Sequence, residues 1–365
     1  MTATDWPATW APYMTWAKHH QSAPLDLTGS NLLPCTVDDL PGALEAMQLD
    51  GRNDDGWPPL VQAIADRFGV NADRVTTATG ASGANFLALA ALVRPGDAVL
   101  FEWPVYDPQM GSARLLGAEV STFERGWDRG FALDPDAVAA ALTPRTRVIV
   151  LTNLHNPSGV YADADSLAEV GSLARSVGAK VLVDEAYLDA CEGVDHTPAA
   201  TRDDVFISTS SLTKSYGLSG IRVGWVLADP ETTERALRVH DVVDGVGSIP
   251  SETIGVVAFA RMDALLERAR GIVGPGSALL RDFVASRPEL EWIEPAGGSV
   301  GFPRLIGVED AEPFVDFAHH EHGVGVIPGR FFGEPAHFRI AVSGEYDVLE
   351  RALAALGGAL DAWEG

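Results

Sequence analysis

The stretch SLTKSYGLSGIRVGW, Ser211 to Trp225, holds Lys214 among hydroxyls and glycines in a chain that otherwise avoids lysine: Lys18, Lys180 and Lys214 stand against 23 arginines. A lysine is ordinarily a solvated surface charge. One used for Schiff-base chemistry must be partly desolvated or set near positive charge, so that its amine is available near neutral pH. Arg222 supplies a permanent positive charge and a planar fork suited to phosphate, and Ser211 supplies a hydroxyl. Lysine, hydroxyl and arginine together describe an anchor for a cofactor that carries both an aldehyde and a phosphate.

Such a cluster needs a framework, and the surrounding sequence reads as one. From about Gly80 to Asp229, short β-branched runs alternate with longer helical ones. The spacing predicts strands at DAVLFE, AEVSTFE, RVIVLTNL, KVLVDEAY, DVFISTSS and RVGWVLAD, and helices at SGANFLALAALV, DAVAAALT and ADSLAEVGSLARSVG. Several of these strands are apolar on both faces. That is the pattern of a mostly parallel sheet covered by helices, which binds ligands beyond the carboxyl ends of its strands. ADPETTERALRVHDVVD predicts a linking helix. Beyond it, LEWIEP, GGSVGFPRL, GVGVIPG and HFRIAVS read as strands, and AEPFVDFAHHEH as a helix, of a smaller α+β domain. The organisation expected is an N-terminal arm over 1–45 that belongs with the small domain, a large α/β domain over 46–240 and the small C-terminal domain over 241–365.

Composition narrows the class of function. The formal charge of −25 repels nucleic-acid phosphate and anionic lipid, so neither a DNA-binding nor a membrane-surface role is expected. Abundant Asp with scarce Lys suits a salt-rich cytoplasm or a plainly acidic protein of an ordinary one. Cys35 and Cys191 form no CxxC pair, which fits a reduced interior without a disulfide framework. The N-terminus lacks a basic segment followed by an apolar run, and no apolar stretch approaches the roughly 20 residues a membrane span needs. A soluble cytoplasmic protein is expected. HHEH, His319 to His322, ends an amphipathic helix and is read as a helix terminus, so no metal is expected.

The lysine stretch resembles the motif of the class I/II aminotransferases, the fold-type I group of pyridoxal-phosphate (PLP) enzymes, and further parts of that family's pattern follow in order over roughly Gly29 to Ser343. The resemblance implies the fold-type I architecture, PLP held as an internal aldimine by Lys214, and a homodimer with its active sites at the two-fold interface. In KVLVDEAY, it assigns Asp184 to the pyridine nitrogen and Tyr187 to the phenolic oxygen of the cofactor. A carboxylate buried at a strand end needs a cationic partner, which a protonated pyridine supplies. In TNLHNPSGV, Asn156 is carried over as a second donor to the phenolic oxygen. In TGASGANF, the amides of Ala81 and Ser82, with the Ser82 hydroxyl, are expected to hold the phosphate beside Ser211 and Arg222, as the start of a helix favours an anion. Tyr106 of EWPVYDP matches the aromatic that stacks on the ring. Arg339 of HFRIAVS resembles the clamp for a substrate α-carboxylate, and Gly29-Ser30-Asn31 the segment that closes over it. Arm residues Trp6, Trp10 and Trp16 are expected near the entrance.

The reaction expected from this resemblance is transamination between an α-amino acid and a 2-oxo acid, in a ping-pong cycle with Lys214 as the base at Cα. A lyase, decarboxylase or cyclase uses the same residues and differs in which bond to Cα lies perpendicular to the ring. A regulator fused to a DNA-binding module does not suit the charge, and an acyl-CoA-dependent synthase would carry histidine where this chain has Tyr187. Two departures from the family stand out. LDGRNDDGWPP lacks the tyrosine that reaches the partner subunit's phosphate, leaving Arg52 or Asn53 as substitutes, and Thr213 stands where serine is common. Arg52, Arg304 and Arg330 are the candidates for a second arginine that would read an acidic side chain.

Overall fold

In the computed structural model of the chain, which describes residues 11–20 and 22–364, the predicted alternation closes into one seven-stranded sheet. A short strand, β1 (Leu25–Asp26), belongs to the arm. The central sheet comprises β2 (Val75–Thr79), β3 (Ala98–Trp103), β4 (Glu119–Glu124), β5 (Thr146–Thr152), β6 (Lys180–Asp184), β7 (Phe206–Ser211) and β8 (Val223–Leu227), side by side in the order β2-β8-β7-β6-β5-β3-β4. Every adjacent pair is parallel except those of β8, which runs against both neighbours. The doubly apolar strands explain the layering. Val99, Phe101, Val148, Val150 and Leu182 bury one face beneath Ala84, Leu87 and Ala88 of the helix Gly80–Leu92. Leu100, Ile149, Leu151, Val181 and Val183 bury the other against Leu167, Val170 and Ala174 of the helix Ala164–Val177.

The consequence for function lies in strand direction. The carboxyl ends of β2, β3, β5, β6 and β7 share one edge with the amino end of β8, so Gly80, Trp103, Thr152, Asp184, Ser211 and Arg222 all emerge there.

The C-terminal part forms smaller sheets: β9 (Leu290–Glu291) with β11 (Arg304–Leu305), and a three-stranded antiparallel set in which β14 (Phe338–Ala341) lies between β10 (Val300–Gly301) and β13 (Ile327–Pro328). The strand β12 (Val324–Gly325) pairs in parallel with β1 and ties the arm to this part. Its core joins Leu280, Phe314, Phe338, Ile340, Leu353 and Leu356. A boundary at 240 would divide the core of the large sheet, because Ala258, Phe259, Met262 and Leu265 pack with Leu60, Val75 and Trp225. The helix Met262–Ala285 begins in that core and ends, at Leu280 and Val284, in the small one. We therefore propose that the changeover lies within this helix rather than before it. Among the described residues no helix is long and apolar enough to cross a membrane.

Candidate active site

At the shared strand edge the chain encloses a cavity of about 510 Å³ whose lining includes Gly29, Ala81, Ser82, Tyr106, Asn156, Asp184, Tyr187, Ser211, Lys214 and Arg222. Residues singled out from separate stretches of sequence thus meet in one place. Arg339, from β14, borders it through a hydrogen bond to Asn156.

Lys214 is half-buried, and its Nζ donates to Ser30 Oγ and to Asn31 Oδ1, both at 2.8 Å. Burial first, with the Arg339 and Arg222 charges adding to it, pushes its amine down to about 8. That brings the free base closer to neutral pH than an ordinary lysine allows, as a nucleophilic lysine requires. The Tyr187 hydroxyl donates to the same Ser30 Oγ at 3.1 Å, so the arm segment ties the two groups together.

Asp184 ends β6 almost fully buried. Its Oδ2 accepts from Asn85 Nδ2 at 2.7 Å and Gln109 Nε2 at 2.8 Å, and its Oδ1 accepts from the Ala186 amide at 3.1 Å. Burial raises its pKa, against the pull of these donors. All three donors are neutral, and among the described residues no side-chain cation forms an ion pair with it. A carboxylate so held would favour a cationic group on a ligand.

The opposite end suits an anion. The helix Gly80–Leu92 starts with amides that have no partner within the helix. Arg222 precedes β8 with a left-handed φ of 54° and donates from Nη1 to Thr213 Oγ1 at 3.3 Å and to the Ser219 carbonyl at 3.2 Å. Two glycines permit this arrangement. A Cβ on Gly80 would sit 2.3 Å from Arg222 Nη2, and one on Gly224 would sit 2.5 Å from the carbonyl carbon of Gly80. The buried Ser211 hydroxyl accepts from the Thr213 amide at 3.3 Å. Helix amides, a hydroxyl and an arginine without a carboxylate partner among the described residues are the donor set of a phosphate site.

The Asn156 amide is oriented by its neighbours. Its Oδ1 accepts from Arg339 Nη1 at 3.1 Å, which leaves its NH2 as donor. The preceding His155 fastens this turn: its Nε2 meets the Pro104 carbonyl at 2.9 Å and its Nδ1 meets Ser158 Oγ at 2.6 Å. A carbonyl only accepts, so Nε2 carries the proton and Nδ1 accepts from Ser158. Tyr106, just beyond Pro104, lies against the arm, with its hydroxyl 3.2 Å from Met14 Sδ and its ring edge-on to Tyr13 at 5.7 Å.

Sequence reasoning missed Asn85, Gln109 and Tyr13. Asn85 left a signal, a single amide in the otherwise apolar run GANFLALAAL. Gln109 and Tyr13 left none, since each gains its role from packing across distant segments. The other arginines considered for the substrate are engaged elsewhere: Arg52 with Asp54 at 2.6 Å, Arg304 with Glu291, and Arg330 with Glu312 at 2.6 Å. Asn53 is buried and donates to Glu252 Oε2 at 2.7 Å and to the Gly247 carbonyl at 2.9 Å, and neither it nor Arg52 lines the cavity of its own chain. Trp16 packs on Phe331 at 5.3 Å, whereas Trp6 and Trp10 lie outside the described residues.

Fold and site together define a fold-type I PLP enzyme. The family model for aminotransferase class I and II matches residues 23–356, and the chain belongs to that family. It is 33% identical over 286 residues to capreomycidine synthase of Streptomyces vinaceus, covering 77% of this chain and 73% of that one. A PLP-dependent aminotransferase from Streptococcus suis superposes with a TM-score of 0.90 at 27% identity, over 97% of both chains. The PLP-dependent cyclase OrfR does so with a TM-score of 0.85 at 25% identity, over 96% of both.

Proposed function

We propose that this chain is a PLP-dependent aminotransferase that moves an amino group between an α-amino acid and a 2-oxo acid. The observation that carries this reading is the placing of Lys214 in one cavity with Asp184 and beside the Asn156–Arg339 pair, an amine flanked by an anion and a cation that form no ion pair among the described residues. Ala81, Ser82, Ser211 and Arg222 would hold the PLP phosphate, Asp184 the ring nitrogen, Asn156 and Tyr187 the phenolic oxygen, and Tyr106 a ring face. When bound, PLP supplies an electron sink for the pair left at the substrate Cα. Lys214 takes the Cα proton, and one paired edge of the Arg339 guanidinium orients the α-carboxylate so that this proton faces Nζ. Ser30 and Asn31 position Nζ for that transfer.

A second reading, a cyclase or lyase acting on an amino acid, is favoured by the similarity to capreomycidine synthase and OrfR. A panel of amino acids incubated with the PLP-loaded protein in heavy water separates the two. Transamination yields the 2-oxo acid. Cα deuteration with a ring-closed or shortened product and no 2-oxo acid would replace the first reading by the second.

We also propose a homodimer in the cytoplasm. Exposed Val242, Val243, Val246, Met47 and Leu49 support it, and bonds from Gln48 to Thr253 and from Asn53 to Gly247 bring their two segments together. Light scattering is expected to find a dimer that high salt strengthens, as screening relieves the repulsion between acidic chains. A monomer at every salt concentration would remove this proposal.

A further inference from the structure

Arg339 has its best protons already in use. Its guanidinium is 1% exposed and donates from Nη1 to Asn156 Oδ1 at 3.1 Å, and from Nη2 to the Tyr13 hydroxyl at 2.9 Å and the Thr28 carbonyl at 3.3 Å. A guanidinium presents a carboxylate with two paired edges, Nε–Nη2 and Nη1–Nη2, and Nη2 belongs to both. Nη2 has two protons and already faces two acceptors. A two-point grip on a carboxylate therefore requires one of these two partners to yield.

The attachments of the two partners decide which. Thr28 follows a segment stitched into the small sheets, where the Leu27 amide donates to the Gly325 carbonyl at 2.8 Å and the Leu27 carbonyl accepts from Ala341 at 2.9 Å. Tyr13 sits on the eight-residue helix Pro12–His19, which joins no sheet. It is held by a hydrogen bond from its backbone N–H to Asp107 Oδ2 at 2.9 Å and by ring contacts with Tyr106 at 5.7 Å, Phe331 at 6.0 Å and Phe332 at 5.9 Å. The hydroxyl is the partner that can leave by a shift of one helix without breaking a sheet bond. Met14, Ala17 and Lys18 of the same helix line the cavity, so this helix also covers the reacting groups.

We propose that Tyr13 is a gating and specificity residue: its hydroxyl holds the place of one substrate carboxylate oxygen on Arg339, and an incoming α-carboxylate displaces it. The inference rests on Arg339 being the carboxylate clamp. It makes occupancy of the clamp a competition, in which a ligand without a carboxylate leaves Tyr13 in place and the arm helix over the cavity.

Isobutyrate and isobutyramide, nearly the same shape with and without charge, test this by calorimetric titration into the PLP-loaded parent, Tyr13→Phe and Arg339→Ala. Phenylalanine keeps the ring packing and removes the competing oxygen. Tyr13→Phe is expected to bind isobutyrate about tenfold more tightly than the parent, roughly the worth of one hydrogen bond to a charged group, with isobutyramide unchanged. Equal binding overturns the proposal, and so does weaker binding, which would make the hydroxyl itself a carboxylate donor. If Arg339→Ala binds isobutyrate as the parent does, the clamp reading fails along with the gate. If it loses isobutyrate while Tyr13→Phe matches the parent, only the gate fails. A crystal structure of the parent with isobutyrate gives the second measurement. The Tyr13 hydroxyl is expected beyond hydrogen-bonding reach of Nη2, and a hydroxyl still bonded there beside a bound carboxylate overturns the proposal.

Discussion

Asp184 and Arg339 are both buried charges at one cavity, yet the chain holds them by opposite means. Every group bonded to Asp184 belongs to the sheet framework: Asn85 on the helix after β2, Gln109 on the helix Asp107–Leu115 after β3, and the backbone just past β6. The groups bonded to Arg339 come from the arm helix, the arm strand's outlet and the Asn156 turn. Isolated buried charges are costly, so each favours a ligand group of opposite sign, in the proposed reading a cation at Asp184 and an anion at Arg339. The difference lies in rigidity. The proposed cofactor end is held by packed strands and their helices, whereas the proposed substrate end shares its donors with a helix that joins no sheet.

Substitutions should therefore separate the two ends. The largest effect is expected from Asp184→Asn, a change that keeps the shape and removes the charge. Turnover should fall roughly a thousandfold, as befits loss of a charge aimed at the electron sink, while amino-acid affinity changes little. Turnover within a few-fold of the parent would break the assignment. Arg339→Ala should act on the other end alone. A fall of about a hundredfold in kcat/KM for α-amino acids, with PLP affinity preserved, is expected from losing a two-point charged contact. Parallel loss of PLP affinity would show that the two ends are not separable. The smallest effect is expected at Gly80, whose φ of 70° and closeness to Arg222 leave no room for a Cβ. Gly80→Ala should weaken PLP binding roughly tenfold through strain at the phosphate end, leaving the KM for amino acids unchanged. Undiminished PLP affinity would place the phosphate elsewhere.

The same division governs what was legible in the sequence. Lys214, Asp184, Ser211 and Arg222 lie at strand ends, where apolar runs stop at polar residues, and neighbouring strands bring them together without further information. The strand VTTAT, Val75–Thr79, was overlooked because threonines mask a run buried along four of its five positions. The helices Ile249–Phe259 and Met262–Ala285 carry no strand-end signal, and the changeover proposed above lies in the second of them. At the substrate end, Tyr13 meets Arg339 across most of the chain's length, and no local pattern encodes that meeting. Ser30 was recognised only as part of a closing segment. Its contacts with both Lys214 and Tyr187 depend on how the arm folds back over the sheet edge.

We propose that Lys214 carries PLP, and the scarcity of lysine makes this directly testable. The PLP-loaded protein is reduced with borohydride, digested, and searched by mass spectrometry for a lysine bearing the reduced pyridoxyl group. With only Lys18, Lys180 and Lys214 in the chain, three side chains can carry it. Lys180 donates to Asp229 at 2.8 Å, at the opposite edge of the sheet, and Lys18 sits on the arm helix. The added mass is expected on the peptide containing Lys214 and on neither of the others. The group found on Lys18 or Lys180, or on no lysine, would contradict it.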